Sequence, residues 1–341
     1  MKFSMVDVSS AHWRDATSLI PHDVYQLPEW SELDSLAGSG SPRAIIVDDG
    51  TRSTAIPVVV RRISDTLWDA SSPYGYPGFA AGHGFTAKMA RELVLHLSEF
   101  LRTMGCVSLF LRLHPTLNNA SAWPDEFTRL VGKTLILDLT VSIDEIQSSI
   151  RKGHKSDIKR AVREGLEVVE DSSEEAYREF QRIYEQTMRR VDAADYYQFD
   201  RDYFNYLRIN MRSMVRLYLA VQDHDVAGGA LFLEAPSSGI VQYHLSATAD
   251  RHLGLQPSKS IIHRAIHDSR DRDFSLLHLG GGLGGNSDSL YNFKKGFGAT
   301  PVDYRTVQLI TNADAYHELS AGTPAGSYFP TYRMPSQDSE S

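Results

Sequence analysis

The sequence predicts a mixed α/β (α+β) protein built from two similar units. Its 341 residues are enough for two domains of ordinary size. Periodic helical stretches alternate with short apolar or alternating runs of strand character. Both halves also repeat one order: helices, an antiparallel meander, a helix, then a strand. No repeat of short period is visible, which argues against a solenoid. Two such units side by side would leave a cleft, a common place for a ligand.

In the first half, Lys2 to Val8 reads as a strand, and Ser10 to Leu19 and Leu27 to Leu36 as helices. Ala44 to Val47 and Ala55 to Arg61 read as paired strands, with Asp48-Asp49-Gly50 as their turn. Ser71 to Gly78, with two prolines and two glycines, is a loop. Thr86 to Thr103 is a helix whose Leu93, Leu97 and Leu101 share one face. Ser108 to Leu113 and Leu135 to Leu139 are strands.

The second unit opens near Val141. Ser142 followed by Glu145 gives a capping-box start to a helix. A basic helix runs from Arg151 to Arg163 and stops before Gly165. Leu166 to Val169 is a strand, and Glu174 to Val191 and Tyr203 to Met211 are helices. Val215 to Gln222 and Val226 to Leu233 form a hairpin about Asp223-His224-Asp225, and Ile240 to Ala247 joins it. Pro257 introduces a helix over Ser258 to Ser269. Phe274 to Leu279 and Val307 to Ile310 are the last strands. The expected boundaries are 1–140 for the first unit, completed by 305–325, then 141–304 for the second, and a flexible tail over 326–341.

Composition narrows the class. Hydrophobic content of 42% and charged content of 23% are ordinary for a globular protein. No apolar run approaches the roughly 20 residues that span a bilayer, so stable membrane insertion is not expected. The first residues, Met1 to Asp7, lack the apolar core of a secretory signal. The single cysteine, Cys106, excludes an intrachain disulfide and a cysteine-rich zinc site, and its apolar run marks it as a core residue. The expected compartment is the cytoplasm. A net charge of −8 argues against broad coating of nucleic acid but leaves room for a local basic patch.

Two features carry chemistry. The first is the glycine run Gly280-Gly281-Gly282, which follows an apolar strand and precedes Phe293-Lys294-Lys295. Glycines let backbone amides approach a ligand closely. A lysine beside them suits a carbonyl that becomes an oxyanion, or a phosphate. The plain alternative for Lys294 is a solvated surface lysine. The second feature is the basic stripe Arg151, Lys152, Lys155, Lys159, Arg160 and Arg163. On a helix Lys152, Lys155 and Lys159 share a face and could meet successive phosphates. The plain alternative is a solvated face over inward-packed Ile150, Ile158 and Val162. His263 and His267 are spaced as a zinc pair could be, but no third ligand accompanies them. No metal or resident cofactor is expected.

These residues resemble the FemABX family. The resemblance rests on Asp138-Leu139-Thr140, on Arg151-Lys152-Gly153-His154-Lys155 with Ile158-Lys159-Arg160-Ala161 and Gly165, and on Tyr243-His244-Leu245-Ser246-Ala247-Thr248 before Pro257. It extends to Gly280-Gly281-Gly282 with Leu290 to Phe297, to the Ser72 to Gly78 loop and to Val24 to Trp30. It covers about residues 3 to 310. It implies two tandem GNAT-like acyltransferase domains around a shared cleft. It also implies transfer of an amino acid from aminoacyl-tRNA to an amino group of a peptide.

Carried over residue by residue, the resemblance makes Phe293 and Lys294 the pair at the aminoacyl ester, with Lys294 stabilising the oxyanion. Arg151, Lys152, Lys155, Lys159, Arg160 and Lys295 become tRNA phosphate contacts. Tyr74, Tyr76, Tyr203 and Tyr243 become candidates for the acceptor site. The resemblance names no base; Asp303, Asp288 or a group of the substrate itself are the candidates. The sequence departs from cell-wall members at two places. Asp34 stands where they tend to carry a lysine, and Phe199 where they tend to carry an arginine, with Arg201 nearby. An aspartate would repel a diphosphate. The expected acceptor is therefore a small peptide or peptidyl-nucleotide or nucleoside, more in keeping with an antibiotic-type natural-product intermediate than with a peptidoglycan precursor.

Two alternatives remain. One is an acyl-CoA-dependent N-acyltransferase. Arg251-His252-Leu253-Gly254-Leu255-Gln256 has the outline of a GNAT pyrophosphate loop, but Gln256 replaces its small last residue. The other is a non-catalytic tRNA- or peptide-binding module.

Overall fold

A computed structural model describes all residues except 39, 51–52, 80–84, 118–122, 195–196, 325, 327 and 335–341. Its elements begin with β1 (Lys2–Asp7), α1 (Ala11–Ser18), α2 (Pro28–Ala37), β2 (Ser41–Asp48), β3 (Ser53–Arg62), β4 (Trp68–Ser71), α3 (Ala87–Thr103), β5 (Cys106–Arg112) and β6 (Thr128–Asp138). They continue with α4 (Ile143–Ser149), α5 (Lys152–Arg163), β7 (Glu167–Glu170), α6 (Glu174–Arg190), α7 (Arg201–Asn210), β8 (Val215–Gln222), β9 (Asp225–Ala235) and β10 (Ile240–Thr248). Last come α8 (Pro257–Asp271), β11 (Leu276–Gly281), α9 (Ser289–Lys295), β12 (Thr300–Ile310) and α10 (Ala313–Leu319). The chain divides into two compact units, residues 1–131 with 304–341, and residues 132–303.

In the first unit β1 to β4 form an antiparallel meander. β4 then runs parallel to β5, and β5 antiparallel to the end of β12. The amphipathic face foreseen for α3 is real: Leu93, Leu97 and Leu101 are buried against Ile45, Ile56 and Leu109. Thr86 caps this helix by accepting from the Met89 amide. Cys106 lies in the same core, and burial pushes its thiol up to about 12.

The second unit repeats the pattern. β7 to β10 form an antiparallel meander, β10 runs parallel to β11, and β11 antiparallel to β6. The β8–β9 hairpin turns on Asp223 and His224, both in the left-handed region at φ 49° and 69°, as a two-residue turn of this hand requires. Ser142 caps α4 by accepting from the Glu145 amide at 3.2 Å. Gly165, at φ +83°, ends α5. The core gathers Leu135, Leu137, Phe232, Ile261, Ile262, Leu277 and Phe297.

Several elements differ from the sequence reading. β4, α9 and α10 are short and were not foreseen. β6 and β12 begin well before their apolar halves, because Arg129 to Val131 and Thr300–Pro301 are exposed and polar or isolated in sequence. Val162, expected to pack inward, is 62% exposed. The tail is not loose from 326 onward. Arg333 donates to Asp69 at 2.9 Å and the Tyr332 hydroxyl meets Ser108 at 2.8 Å. Asp69 is fully buried and paired through Oδ1 with Arg61, and Arg333 from the tail supplies a donor to its other oxygen, Oδ2. The rest of the tail, 335–341, lies outside the described residues. Among the described residues no helix is long and apolar enough to cross a membrane.

Candidate active site

The site grows out of a fork between two parallel strands. β10 and β11 share only three rungs, Ile240–Leu276, Val241–Leu277 and Gln242–His278. Just beyond them each strand shifts register against its other neighbour, β10 between Tyr243 and Leu245, β11 between His278 and Gly280. The last rung is tied by side chains. The buried His278 meets Gln242 Oε1 through Nδ1 and Thr134 Oγ1 through Nε2, both at 2.5 Å. This polar network fixes the fork where the backbone ladder ends.

Lys294 lies beside the open end of that fork. Its Nζ donates to the Gly281 carbonyl at 2.8 Å and stands 5.9 Å from the centre of the Tyr243 ring. The side chain is buried. Burial lowers its pKa to about 8, against a weaker opposing pull from Asp288. This is not a solvated surface lysine. Gly280, at φ +76°, could not carry a side chain cheaply, because its backbone is left-handed; a Cβ there would also press on Lys294 Nζ at 3.2 Å. Gly282 opens a short loop that Asp288 closes by accepting the Leu283 amide at 2.9 Å. The same carboxylate caps α9 at Tyr291 N, and these amide bonds hold its pKa low.

Phe293 is half-buried and packs on His154 and Phe297. Lys295 points outward. The start of α5 meets the end of α9: the Arg151 amide donates to the Gly296 carbonyl at 2.8 Å. The basic stripe divides here into two kinds of residue. Arg151, Lys152 and Lys159 are exposed. Lys155 instead donates to the Gln147 and Ser148 carbonyls at 3.1 and 3.3 Å, closing the end of α4. Arg160 donates to the Gly254 carbonyl at 2.8 Å and faces Asp157 and Glu164.

The remaining candidates are placed as follows. In the first unit Tyr74 is half-buried; its amide donates to Asp34 at 3.1 Å and its carbonyl accepts from Trp30. Asp34 therefore holds the 73–78 loop, and burial raises its pKa. Tyr76 meets Tyr25 and Tyr304 edge-on. In the second unit Tyr203 is buried, stacked on Phe199 at 4.0 Å, with its hydroxyl on His244 at 2.7 Å. Tyr243 is half-buried beside Lys294. Arg201 is exposed and faces Glu174 at 3.8 Å. Of the candidate bases, Asp288 is engaged in capping and Asp303 is paired with Lys133 at 2.8 Å.

The loop before α8 is closed. Asp250–Leu255 is a 3-10 helix, and Gln256 follows at φ 52°. The amides of His252, Gln256 and Lys259 donate to the carbonyls of Ala249, Leu253 and Gln256. Few amides remain there for a pyrophosphate. His263 and His267 both turn their Nε2 atoms to Gln147 Nε2, at 2.8 and 3.0 Å. Among the described residues no group of three or more His, Cys, Asp or Glu side chains could hold a metal ion.

Two buried groups escaped the sequence reading. Lys259 on α8 is buried and paired with Asp157 of α5 at 2.5 Å, a contact across 102 positions that no local pattern announces. His154 is fully buried between α5 and α9, although its neighbours in sequence read as a solvated stripe.

Residues 148–295 match the family described as Acetyltransferase (GNAT) domain. No curated protein matches the sequence. Among solved structures the chain is similar to FemX, with a TM-score of 0.72 at 13% identity over 94% of this chain and 99% of that one. It is also similar to a protein of unknown function from Bacteroides thetaiotaomicron, with a TM-score of 0.58 at 9% identity over 91% and 99%. A third is the C-terminal domain of a candidate lysylphosphatidylglycerol synthetase from Agrobacterium fabrum, with a TM-score of 0.53 at 15% identity over 89% and 92%. The likeness to the FemABX proteins read from the sequence thus holds at the level of the fold, and the chain is a tandem α/β protein of GNAT-like acyltransferase architecture.

Proposed function

We propose that this protein is an aminoacyltransferase that moves an amino acid from charged tRNA to the amino group of a small peptide. The observation that carries the reading is Lys294: a buried amine held at the Gly281 carbonyl, beside a fork of strands, on a helix whose end meets the start of the basic α5. In the reaction the acceptor nitrogen attacks the ester carbonyl. The C–N bond forms, the C–O bond to the ribose breaks, and the proton lost by nitrogen leaves with the ribose hydroxyl. Charge gathers on the carbonyl oxygen between these events. A desolvated ammonium stabilises it without reorganising. Exposed Arg151, Lys152, Lys159 and Lys295 would contact tRNA phosphates, an electrostatic and salt-sensitive attachment.

Two observations favour this reading over an acyl-CoA donor and over a peptidoglycan precursor. The loop before α8 spends its amides internally and is fastened by Arg160. Asp34 and Phe199 offer no cation to a diphosphate; one holds the Tyr74 amide and the other stacks on Tyr203. A peptide intermediate of a natural product fits better.

The test is transfer of label from tRNA charged with radioactive amino acids to small molecules from the producing cells. Product that disappears after RNase treatment supports the reading. Label that moves equally well after RNase, or only from acetyl-CoA, sinks it.

A further inference from the structure

α9 is one short helix, and the place of Lys294 depends on how its last turn is held. The final carbonyls of any helix lack partners within it. In α9 the start of α5 reaches two carbonyls of the last turn, one of which, that of Phe293, also accepts from the Gly296 amide at 3.1 Å. The Gly296 carbonyl accepts from the Arg151 amide at 2.8 Å, and the Phe293 carbonyl lies 2.9 Å from His154 Nε2. A carbonyl only accepts, so Nε2 carries the proton and Nδ1 is the free lone pair. Arg151 agrees, since its guanidinium faces Nδ1 at 3.4 Å as a donor. The ring is wedged between Phe293 and Phe297, with centroids at 5.5 and 4.8 Å. Desolvation, together with Lys259 and Arg151, lowers the His154 pKa against weaker pulls from the Phe293 carbonyl and Asp157. The ring is therefore neutral at neutral pH, as a single-donor role requires.

We propose that His154 is a positioning residue for Lys294: by donating from Nε2 to the Phe293 carbonyl it fixes the last turn of α9 and so the Lys294 amine at the Gly281 carbonyl. Lys294 follows Phe293 directly; without the His154 donor the Phe293 carbonyl keeps only the Gly296 amide, at 3.1 Å, and the loosened turn lets the amine reach water. The consequence for catalysis rests on the tRNA-dependent reading above. The placement of the amine does not.

The experiment measures Lys294 without substrate. Competitive labelling with acetic anhydride over a pH series, read by mass spectrometry, gives the titration midpoint of each lysine, with exposed Lys152 as the internal reference. His154→Phe keeps the ring and removes the donor; His154→Gln can restore an N–H near the Nε2 position. In wild type Lys294 is expected to titrate below the ordinary lysine value of 10.5. In His154→Phe it moves back toward that value, and in His154→Gln it returns to the wild-type position. With charged tRNA, His154→Phe is expected to lower kcat about tenfold or more while KM for tRNA stays within about twofold, since the exposed cations are untouched. A folded His154→Phe whose Lys294 titrates as in wild type overturns the proposal. The wild type gives a test that needs no stable variant: 15N-histidine spectra must show His154 as the Nε2–H tautomer, and an Nδ1–H tautomer overturns it. If Lys294 behaves as expected but no variant or wild type transfers from tRNA, the positioning stands and the donor assignment falls.

Discussion

The ring of His154 occupies the space that a side chain on Gly296 would need: a Cβ there would lie 2.4 Å from Nε2 and 2.9 Å from two ring carbons. Gly296 has ordinary helical angles, φ −62° and ψ −11°, so its backbone does not require glycine. Helix propensity alone would favour Gly296→Ala by up to about 1 kcal/mol. The contact opposes this. The ring sits against Phe293 and Phe297 and is not a flexible end that can swing away. Overpacking of this kind costs about 1–3 kcal/mol. Gly296→Ala is expected to lower the denaturation midpoint, and an unchanged or raised midpoint in urea would show that the clamp is loose.

In the proposed reaction Lys294 would set function against stability. Its folded pKa, about 8, lies below the ordinary 10.5. Between those values the unfolded chain holds a proton that the folded chain lacks, so this group makes stability rise with pH across that window. Below pH 8 both forms are protonated and the burial penalty is constant, about 3 kcal/mol from the shift. Lys294→Met removes the penalty but also a charge-assisted hydrogen bond worth about 2 kcal/mol. The variant is expected to be about 1 kcal/mol more stable than wild type at pH 7, with the advantage shrinking as pH climbs from 8 to 10. Transfer should fall by about 10²–10³, the range for loss of one oxyanion donor. Urea melts at pH 7 and pH 10 with parallel transfer assays check both halves. A variant that is less stable at pH 7 and fully active would contradict them.

The chemistry of this site was partly legible in the sequence, and the reasons differ residue by residue. Phe293-Lys294 stands out because it follows a glycine run at the end of an apolar strand. The helix that carries it does not, since α9 has only seven residues and too few turns for a periodicity to emerge. The strand that closes each unit was legible only in its apolar half, Leu135 to Leu139 of β6 and Val307 to Ile310 of β12. β6 pairs with β11 and β12 with β5, and such distant partners leave no local mark beyond their apolar halves. His154 lies within the basic stripe, flanked by Arg151, Lys152 and Lys155, although its i±4 neighbours, Ile150 and Ile158, mark the apolar face of the same helix. Its burial comes from Phe293 and Phe297, which lie far along the chain. Lys155 and Arg160 were misjudged for a related reason, since the carbonyls that hold them are not visible as side-chain pattern.

That division of the stripe can be measured. Exposed Lys152 and Lys159 would meet phosphates, while Lys155 and Arg160 hold carbonyls of Gln147, Ser148 and Gly254. Lys152→Ala and Lys159→Ala are each expected to lower the slope of log affinity for tRNA against log salt by about one, with the melting temperature unchanged. Lys155→Ala and Arg160→Ala should instead lower the melting temperature and leave the slope nearly intact. Filter binding across a salt series, with melts beside it, separates the two groups. Equal slope changes for all four would mean that the carbonyl contacts yield to phosphate.

Gln256 offers a test of the donor from the opposite side. It sits at φ 52° and ψ 51° before α8, a region that costs a residue with a side chain about 1–2 kcal/mol. Glycine relieves that strain but adds freedom to the unfolded chain. Gln256→Gly should therefore be stabilising by at most about 1 kcal/mol. The same substitution makes the loop's last residue small, as in a pyrophosphate loop. If the Gln256 side chain were what excludes a pyrophosphate, the variant would gain affinity for CoA. On the proposed reading the obstacle lies elsewhere, in amides already bonded to Ala249, Leu253 and Gln256 and in the Arg160 bond to Gly254. Neither changes with the side chain at 256. The expected outcome is a slightly higher melting temperature and no further rise when CoA is added to wild type or variant at concentrations where a ligand would stabilise by mass action. A CoA-dependent rise in wild type would favour an acyl-CoA donor outright. A rise only in Gln256→Gly would mean that the loop amides open readily, and that one side chain keeps this fold from the other donor.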